Sequence, residues 1–182
     1  MRLFVAVEIE SAIRSRIHEF VSGLRAQIPE ARWVRPEGLH ITLKFLGNVA
    51  DERRAPIEEA LGSLHERQVM LLLKGLGAFP NLRSPRVLWL GIESGPELER
   101  LAAAVDEQMA SVGFTRENRA FSPHVTLARF NQRPRGNLGS LLSDAQPTFG
   151  TMTANEFYLY ESKLSPQGSR YAKLASFKLE QA

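Results

Sequence analysis

The feature that most constrains the fold of this chain is a four-residue motif, His-x-Thr-Leu, which occurs at residues 40–43 and again at residues 124–127. Each copy alternates polar side chains with apolar ones, which predicts a β-strand. Residues i and i+2 of a strand point to the same face, so the histidine and the threonine of each copy should share a face. The fold must therefore accommodate two strands that each present an imidazole beside a hydroxyl group.

The motif belongs to a longer repeat. Residues 88–93 resemble residues 3–8 as a buried strand, and an amphipathic helix is predicted after each of them. The order strand–helix–strand–helix–strand–strand is thus predicted twice, in halves of about residues 1–85 and 86–182. No linker rich in Pro, Gly or Ser separates the halves, so we expect a single bilobal domain over residues 1–182.

The other predicted elements favour a mixed fold. Pro29 ends the first helix, a second helix is predicted over residues 51–65, and one long strand over residues 148–161. A turn at residues 165–168 joins that strand to another over residues 171–179. Because helices occur among strands with hairpin-type connections, an α+β class is favoured over a doubly wound parallel sheet. We predict two pseudo-symmetric lobes, each an antiparallel-rich sheet with helices packed on its outer side, around a central cleft.

Composition narrows the classes of protein further. The chain has no cysteine, so it can form neither a disulfide nor a thiolate nucleophile. The first ten residues are too short and too acidic, with Glu8 and Glu10, for a secretory signal. No apolar run approaches the ~18 residues of a membrane span. We expect a cytoplasmic monomer that does not bind membranes, and the net charge of +3 permits an anionic partner without requiring one.

Two related lobes packed about an approximate two-fold axis would place His40 and His124 on opposite sides of one cleft. That geometry suits an in-line displacement at phosphorus, in which the nucleophile enters opposite the departing oxygen. A neutral imidazole can accept a proton from the entering group, and an imidazolium can donate one to the leaving group. Thr42 and Thr126 can hydrogen-bond the phosphate oxygens. We expect no metal and no cofactor, since a strained ester requires neither.

Other interpretations of the histidines stay open at this point. A histidine on a strand is often only a hydrogen-bonded structural residue, although packing alone gives no reason for the same motif in both halves. A zinc site needs three or four ligands. The chain has no cysteine and no His-x-x-x-His pattern, so carboxylates would have to complete such a site. We expect His18 and His65, the remaining histidines, to lie on the solvated surface.

Several further side chains are candidates for the surroundings of the cleft. Strict strand alternation puts Lys44 on the face of the histidine and Phe45 in the core. Arginines at equal spacing before the two histidines could gather phosphates or lie in solvated loops: Arg32, Arg35, Arg116 and Arg119. The aromatic residues that could stack on a base are Trp33, Phe45, Phe121 and Tyr171. The basic loop at residues 133–136 is either an RNA contact or plain surface.

Residues 40–47 and 121–129, together with residues 159–171, resemble the two-histidine (2H) phosphoesterase superfamily. The resemblance is to its bacterial and archaeal branch of RNA 2′,3′-cyclic phosphodiesterases, once called 2′-5′ RNA ligases, and it spans nearly the whole chain. It implies a bilobal α+β fold with a central cleft. It also implies hydrolysis of a terminal 2′,3′-cyclic phosphate on RNA, such as tRNA fragments, to a 2′-phosphomonoester without metal or ATP, and a reverse reaction that forms a 2′-5′ bond.

The resemblance also implies roles for individual residues. His40 is similar to the proton donor to the 3′ oxygen and His124 to the base that activates water, although a pseudo-symmetric site leaves these labels exchangeable. Thr42 and Thr126 are similar to the phosphate ligands. Arg129 matches a functional arginine, but strand alternation puts it opposite His124, so a strand end or a bulge must re-aim it. Two alternatives are a phosphodiesterase for small cyclic nucleotides or ADP-ribose cyclic phosphate, and a non-catalytic module that binds RNA ends.

Overall fold

Nine β-strands and four α-helices are formed by residues 1–142 and 146–181, the part of the chain that this computed structural model describes. The strands are β1 (Arg2–Glu8), β2 (Ala31–Trp33), β3 (His40–Asn48), β4 (Val69–Phe79), β5 (Val87–Ser94), β6 (His124–Phe130), β7 (Thr148–Ala154), β8 (Glu156–Ser165) and β9 (Gly168–Lys178). The helices are α1 (Ser11–Leu24), α2 (Arg54–Gly62), α3 (Pro96–Ser111) and α4 (Leu138–Leu142). None of these helices has both the length and the hydropathy that crossing a membrane requires.

The strands form one antiparallel sheet whose order is symmetric about its centre. The order is β7-β4-β5-β6-β3-β1-β8-β9, and the short β2 pairs with β6 beside this path. The two histidine strands, β3 and β6, are the central neighbours, and each has the first strand of its own half, β1 or β5, on its outer side. The predicted α+β class with two pseudo-symmetric lobes is confirmed.

The lobes of the sheet differ from the halves of the sequence. β4 comes from the first half but pairs with β5 and β7, whereas β8 comes from the second half but pairs with β1. One lobe therefore consists of β1, β3, β8 and β9, and the other of β4 to β7. The hydrophobic pattern identifies a strand but not its pairing partner, so this exchange could not be read from the repeat. The repeat boundary near residue 85 stays a prediction.

Helices cover one face of the sheet and leave the histidine face open. α1 and α3 bury the apolar stripes that the sequence predicts, and these stripes pack in the same buried cluster as Ile41 and Val125 of the histidine strands. α1 lies against β7, where the rings of Phe20 and Phe149 meet edge to face at 5.4 Å, and α3 lies against β3. Burying the apolar side of both histidine strands turns their polar side toward solvent.

Several predicted boundaries differ from those in the structure. The strand predicted over residues 148–161 is two strands, because Asn155 separates β7 from β8 and its carbonyl accepts a hydrogen bond from the Leu179 N–H at 2.8 Å. α1 ends at Leu24, before Pro29, and α2 ends at Gly62 after a 3₁₀ turn over Asp51–Arg53. The turn at residues 165–168 is present, but β9 already begins at Gly168, whose φ of 110° suits glycine.

Candidate active site

The two histidine strands meet where Ile41 pairs with Val125. Extending this antiparallel register by one residue in each direction puts His40 opposite Thr126 and Thr42 opposite His124. The two histidines are then diagonal neighbours on one face, a relation that separates such residues by about 7–8 Å. Both imidazoles therefore project from neighbouring positions of the two strands into the same cleft.

All five residues predicted for the site line one cleft of about 550 Å³. They are His40, Thr42, His124, Thr126 and Arg129. A volume in this range is typical of small-ligand pockets in proteins, which are about 300–1,000 Å³. The structure therefore brings together side chains that lie in separate halves of the sequence.

Backbone carbonyls orient both imidazoles in the same way. Nδ1 of His40 lies 2.7 Å from the Gly38 carbonyl oxygen, and Nδ1 of His124 lies 2.8 Å from the Ser122 carbonyl oxygen. A carbonyl oxygen can only accept a hydrogen bond, so each Nδ1 must carry the proton that it donates. The Nε2 atom of each neutral ring is then left with its lone pair, which is the form a general base requires.

Aromatic rings pack against both imidazoles. His40 packs on Phe4 with ring centroids 4.8 Å apart, and Tyr171 meets it edge to face at 5.1 Å. Phe79 meets His124 edge to face, also at 5.1 Å. The sequence did not identify Phe4 and Phe79 as neighbours of the histidines, because Phe4 lies in a strand that was assigned to the core and the pairing of both strands was unknown. These contacts limit rotation of both imidazoles.

Burial sets the charge of one of the rings. The pKa of His40 is lowered from 6.5 to about 4, mainly by desolvation. Within this net shift the hydrogen bond to Gly38 acts in the opposite direction, while the nearby charges of Arg129 and His124 contribute to the lowering. His40 is therefore neutral at pH 7 unless an anion such as a phosphate lies beside it to favour the protonated ring.

A β-bulge occurs at the same position of both histidine strands. Consecutive residues of β1 lie opposite Thr42 and Lys44, so Leu43 is an extra residue in β3. The register between β5 and β6 shifts in the same way and leaves Leu127 as the extra residue. A bulge reverses the alternation of side chains beyond it. The residues directly after the bulge, Lys44 and Phe45 in β3 and Ala128 and Arg129 in β6, therefore point to the face opposite to the one that strict alternation predicts.

The bulges explain why Arg129 faces the cleft, and they show that the predictions for Phe45 and Lys44 were wrong. Arg129 lies on the same cleft face as His124. Strict alternation would put it on the opposite face, and the bulge at Leu127 reverses that orientation. Phe45 was predicted in the core, but it is 63% exposed and lines the cleft. Lys44 was predicted to approach the cleft, but it is buried behind the sheet, where Nζ donates to the Asp106 carboxylate and, at 2.9 Å, to the Thr115 carbonyl.

The electrostatics of the cleft favour an anion. Arg2, Arg32 and Arg129 line it, and no carboxylate does so among the residues that the structure describes. The other predicted arginines lie elsewhere: Arg35 is in an adjacent groove, and Arg116 is 3.8 Å from Glu107 on the surface. The arginines before His40 and those before His124 therefore lie in different parts of the fold, although their spacing in the sequence is equal.

The remaining candidates also differ in position. Tyr171 lines the cleft, Trp33 lines the adjacent groove, and Phe121 lines neither. His18 and His65 are exposed, as predicted. Within residues 1–142 and 146–181, no group of three or more His, Cys, Asp or Glu side chains is arranged to hold a metal ion.

An antiparallel two-lobed sheet with a pair of cleft-facing His-x-Thr strands defines the class of two-histidine phosphoesterases. The model of one family, described as LigT like Phosphoesterase, matches residues 7–89 and again residues 90–171. The chain belongs to this family.

Proteins with similar sequences and structures agree with this assignment. The RNA 2′,3′-cyclic phosphodiesterase of Archaeoglobus fulgidus is 37% identical over 177 residues, which are 97% of this chain and 99% of that protein. The crystal structure of TT0787 of Thermus thermophilus has a TM-score of 0.83 at 30% identity and covers 98% of both chains. That of E. coli LigT complexed with 3′-AMP has a TM-score of 0.80 at 32% identity and covers 99% of this chain and 98% of that chain.

Proposed function

We propose that this protein is an RNA 2′,3′-cyclic phosphodiesterase, a hydrolase that converts a terminal 2′,3′-cyclic phosphate to a 2′-phosphomonoester. The observation that carries the proposal is the pair of equally oriented imidazoles, each held through Nδ1 so that Nε2 keeps its lone pair, on adjacent strands of an arginine-lined cleft. The activity named for the similar Archaeoglobus fulgidus protein supports the same reaction.

The proposed reaction uses one ring as a base and the other as an acid. His124 accepts a proton from water, the water oxygen forms a bond to phosphorus, and the bond from phosphorus to the 3′ oxygen breaks. His40 donates its Nε2 proton to that 3′ oxygen, so the phosphate stays on the 2′ oxygen. The substrate anion raises the pKa of His40 and so favours the protonated ring that this role needs.

Three other side chains bind the phosphate in this proposal. The hydroxyl groups of Thr42 and Thr126 donate to the non-bridging oxygens, and Arg129 balances their charge. When a 5′-hydroxyl group of RNA replaces water, the same steps in the same direction join two RNA ends through a 2′-5′ bond: the 5′ oxygen forms a bond to phosphorus, and the bond from phosphorus to the 3′ oxygen breaks. No metal or cofactor has a role in these steps.

The proposed substrates are RNA fragments with cyclic phosphate ends, including fragments of tRNA. We further propose that the protein acts as a monomer, because the five residues proposed for the reaction come together within one chain. We also propose that it is cytoplasmic, because a chain without cysteine suits a reducing compartment. The pairing of β8 with β1 and of β4 with β5 supports a single bilobal domain whose two repeat halves are interlocked.

A hydrolysis assay with product identification tests the proposed function. An RNA oligonucleotide with a 2′,3′-cyclic phosphate should be hydrolysed in the presence of EDTA, and the product should carry a 2′-phosphate. Adenosine 2′,3′-cyclic phosphate and ADP-ribose cyclic phosphate are the competing substrates. Faster hydrolysis of ADP-ribose cyclic phosphate, a 3′-phosphate product, or tight RNA binding without turnover would each contradict the proposal.

A further inference from the structure

A second groove, of about 630 Å³, opens beside the cleft. One of its walls is the segment of residues 32–38, and the other is the tip of the β8–β9 hairpin at residues 164–171. β8 pairs with β1 only as far as Glu161, which lies opposite Leu3. The hairpin tip therefore extends beyond the end of the β1–β8 pairing and forms one wall of the groove.

The second groove is continuous with the cleft. Arg32, Arg129 and Tyr171 line both of them. A ligand whose phosphate lies between the two imidazoles can therefore extend along this shared wall into the second groove.

The side chains that line only the second groove suit a nucleotide. Arg35 is one of them, and its Nη2 donates to the Gln167 carbonyl on the opposite wall at 3.1 Å. Trp33 offers an aromatic surface, and Leu164 is an apolar side chain that is 74% exposed. No carboxylate lines the groove within the described part of the chain. Arginine binds phosphate, and aromatic and apolar surfaces bind bases.

A comparison of the two repeat halves shows that an arginine at this distance before the histidine does not by itself line such a groove. Arg119 follows Arg35 at the repeat offset of 84 residues (119 − 35), but it is exposed and lines neither the cleft nor the second groove. The cleft is therefore pseudo-symmetric around the phosphate but has a nucleotide-sized extension on one side.

We propose that the second groove binds the nucleotide on the 5′ side of the terminal one, an inference that rests on the proposed function. A 2′,3′-cyclic phosphate ends an RNA chain, so all further nucleotides extend from the 5′ oxygen of the terminal nucleoside. The shared arginine-lined wall gives that extension a continuous path. Arg35 binds the phosphodiester between the last two nucleotides, and Trp33 and Leu164 contact the penultimate base.

A comparison of two substrates tests this inference. We expect kcat/KM for the dinucleotide ApA with a 2′,3′-cyclic phosphate to exceed that for adenosine 2′,3′-cyclic phosphate by about tenfold or more, since one base contact supplies that much. Arg35→Ala and Leu164→Ser should each remove most of this preference and leave the mononucleotide rate unchanged. A dinucleotide with an uncharged methylphosphonate linkage should be insensitive to Arg35→Ala.

Arg119→Ala is the matched control and should preserve the preference for the dinucleotide. Equal kcat/KM values of the wild-type protein for the two substrates would overturn the inference while leaving the proposed function intact. An equal loss on both substrates in Arg35→Ala would overturn it too, because Arg35 would then only support the hairpin. Failure to hydrolyse either substrate would instead contradict the proposed function itself.

Discussion

His40→Ala and His124→Ala should each lower kcat for cyclic phosphate hydrolysis by about 10²–10⁴-fold, with a much smaller change in KM. This is the usual contribution of one general acid or base. The double variant should be little slower than either single one, because two groups that transfer protons in one step act as a unit. Steady-state kinetics on a cyclic phosphate oligonucleotide measures all three values.

The pH profile distinguishes loss of proton transfer from loss of structure. With both rings present, kcat/KM should have a bell-shaped pH dependence, because the base must be neutral while the acid is protonated. The acidic limb should lie near pH 4, the pKa of His40 without substrate, because a site with both rings protonated has no base. His40→Ala should lack the limb near pH 4. His18→Ala, at an exposed position of α1, is the control and should match the wild type. A wild-type rate in either active-site variant would contradict the assigned roles.

Asp106→Ala should lower the free energy of unfolding by about 3–5 kcal/mol, because it leaves the buried ammonium group of Lys44 without its charged partner and with only the Thr115 carbonyl as an acceptor. The side chain of Lys44 is 6% exposed, whereas that of Asp106 is 20% exposed. Lys44→Met should therefore cost less, about 1–2 kcal/mol, because water can still reach the remaining carboxylate. Chemical denaturation of the two variants measures the difference.

Acid should reduce the effect of Asp106→Ala. Burial alone raises the pKa of the Asp106 carboxyl, but the hydrogen bonds from Lys44 and from the Glu117 N–H hold that pKa below its ordinary 3.8. A lowered pKa gives stability at neutral pH that is lost as the pH falls through the folded-state value. Glu107→Ala, at an exposed neighbour on α3, is the control and should change stability by no more than about 0.5 kcal/mol. Equal losses in Lys44→Met and Asp106→Ala would contradict the assigned burial asymmetry.

The parts of the site that depend on local pattern were predictable from the sequence. Two-residue alternation puts each histidine beside its threonine, and helical periodicity identifies the buried stripes of α1 and α3. These predictions succeed because each histidine and its threonine precede the bulge of their strand, where two-residue alternation holds whichever strand is the partner.

The parts that depend on pairing were not predictable. A bulge is one extra residue in one strand relative to its partner, so Leu43 and Leu127 show no signal until the neighbouring strand is known. The errors at Lys44 and Phe45 follow directly from that. The exchange of β4 and β8 between lobes and the positions of Phe4 and Phe79 beside the imidazoles are long-range contacts of the same kind.

A crystal structure of the protein with a nucleoside vanadate tests the central claim most directly, because vanadate adopts the five-coordinate geometry of phosphorus during displacement. We expect Nε2 of His40 and Nε2 of His124 each to lie about 2.6–3.2 Å from one of the two apical oxygens, on opposite sides of the vanadium. A complex in which only one imidazole reaches the vanadate, or both contact the same side, would contradict the account.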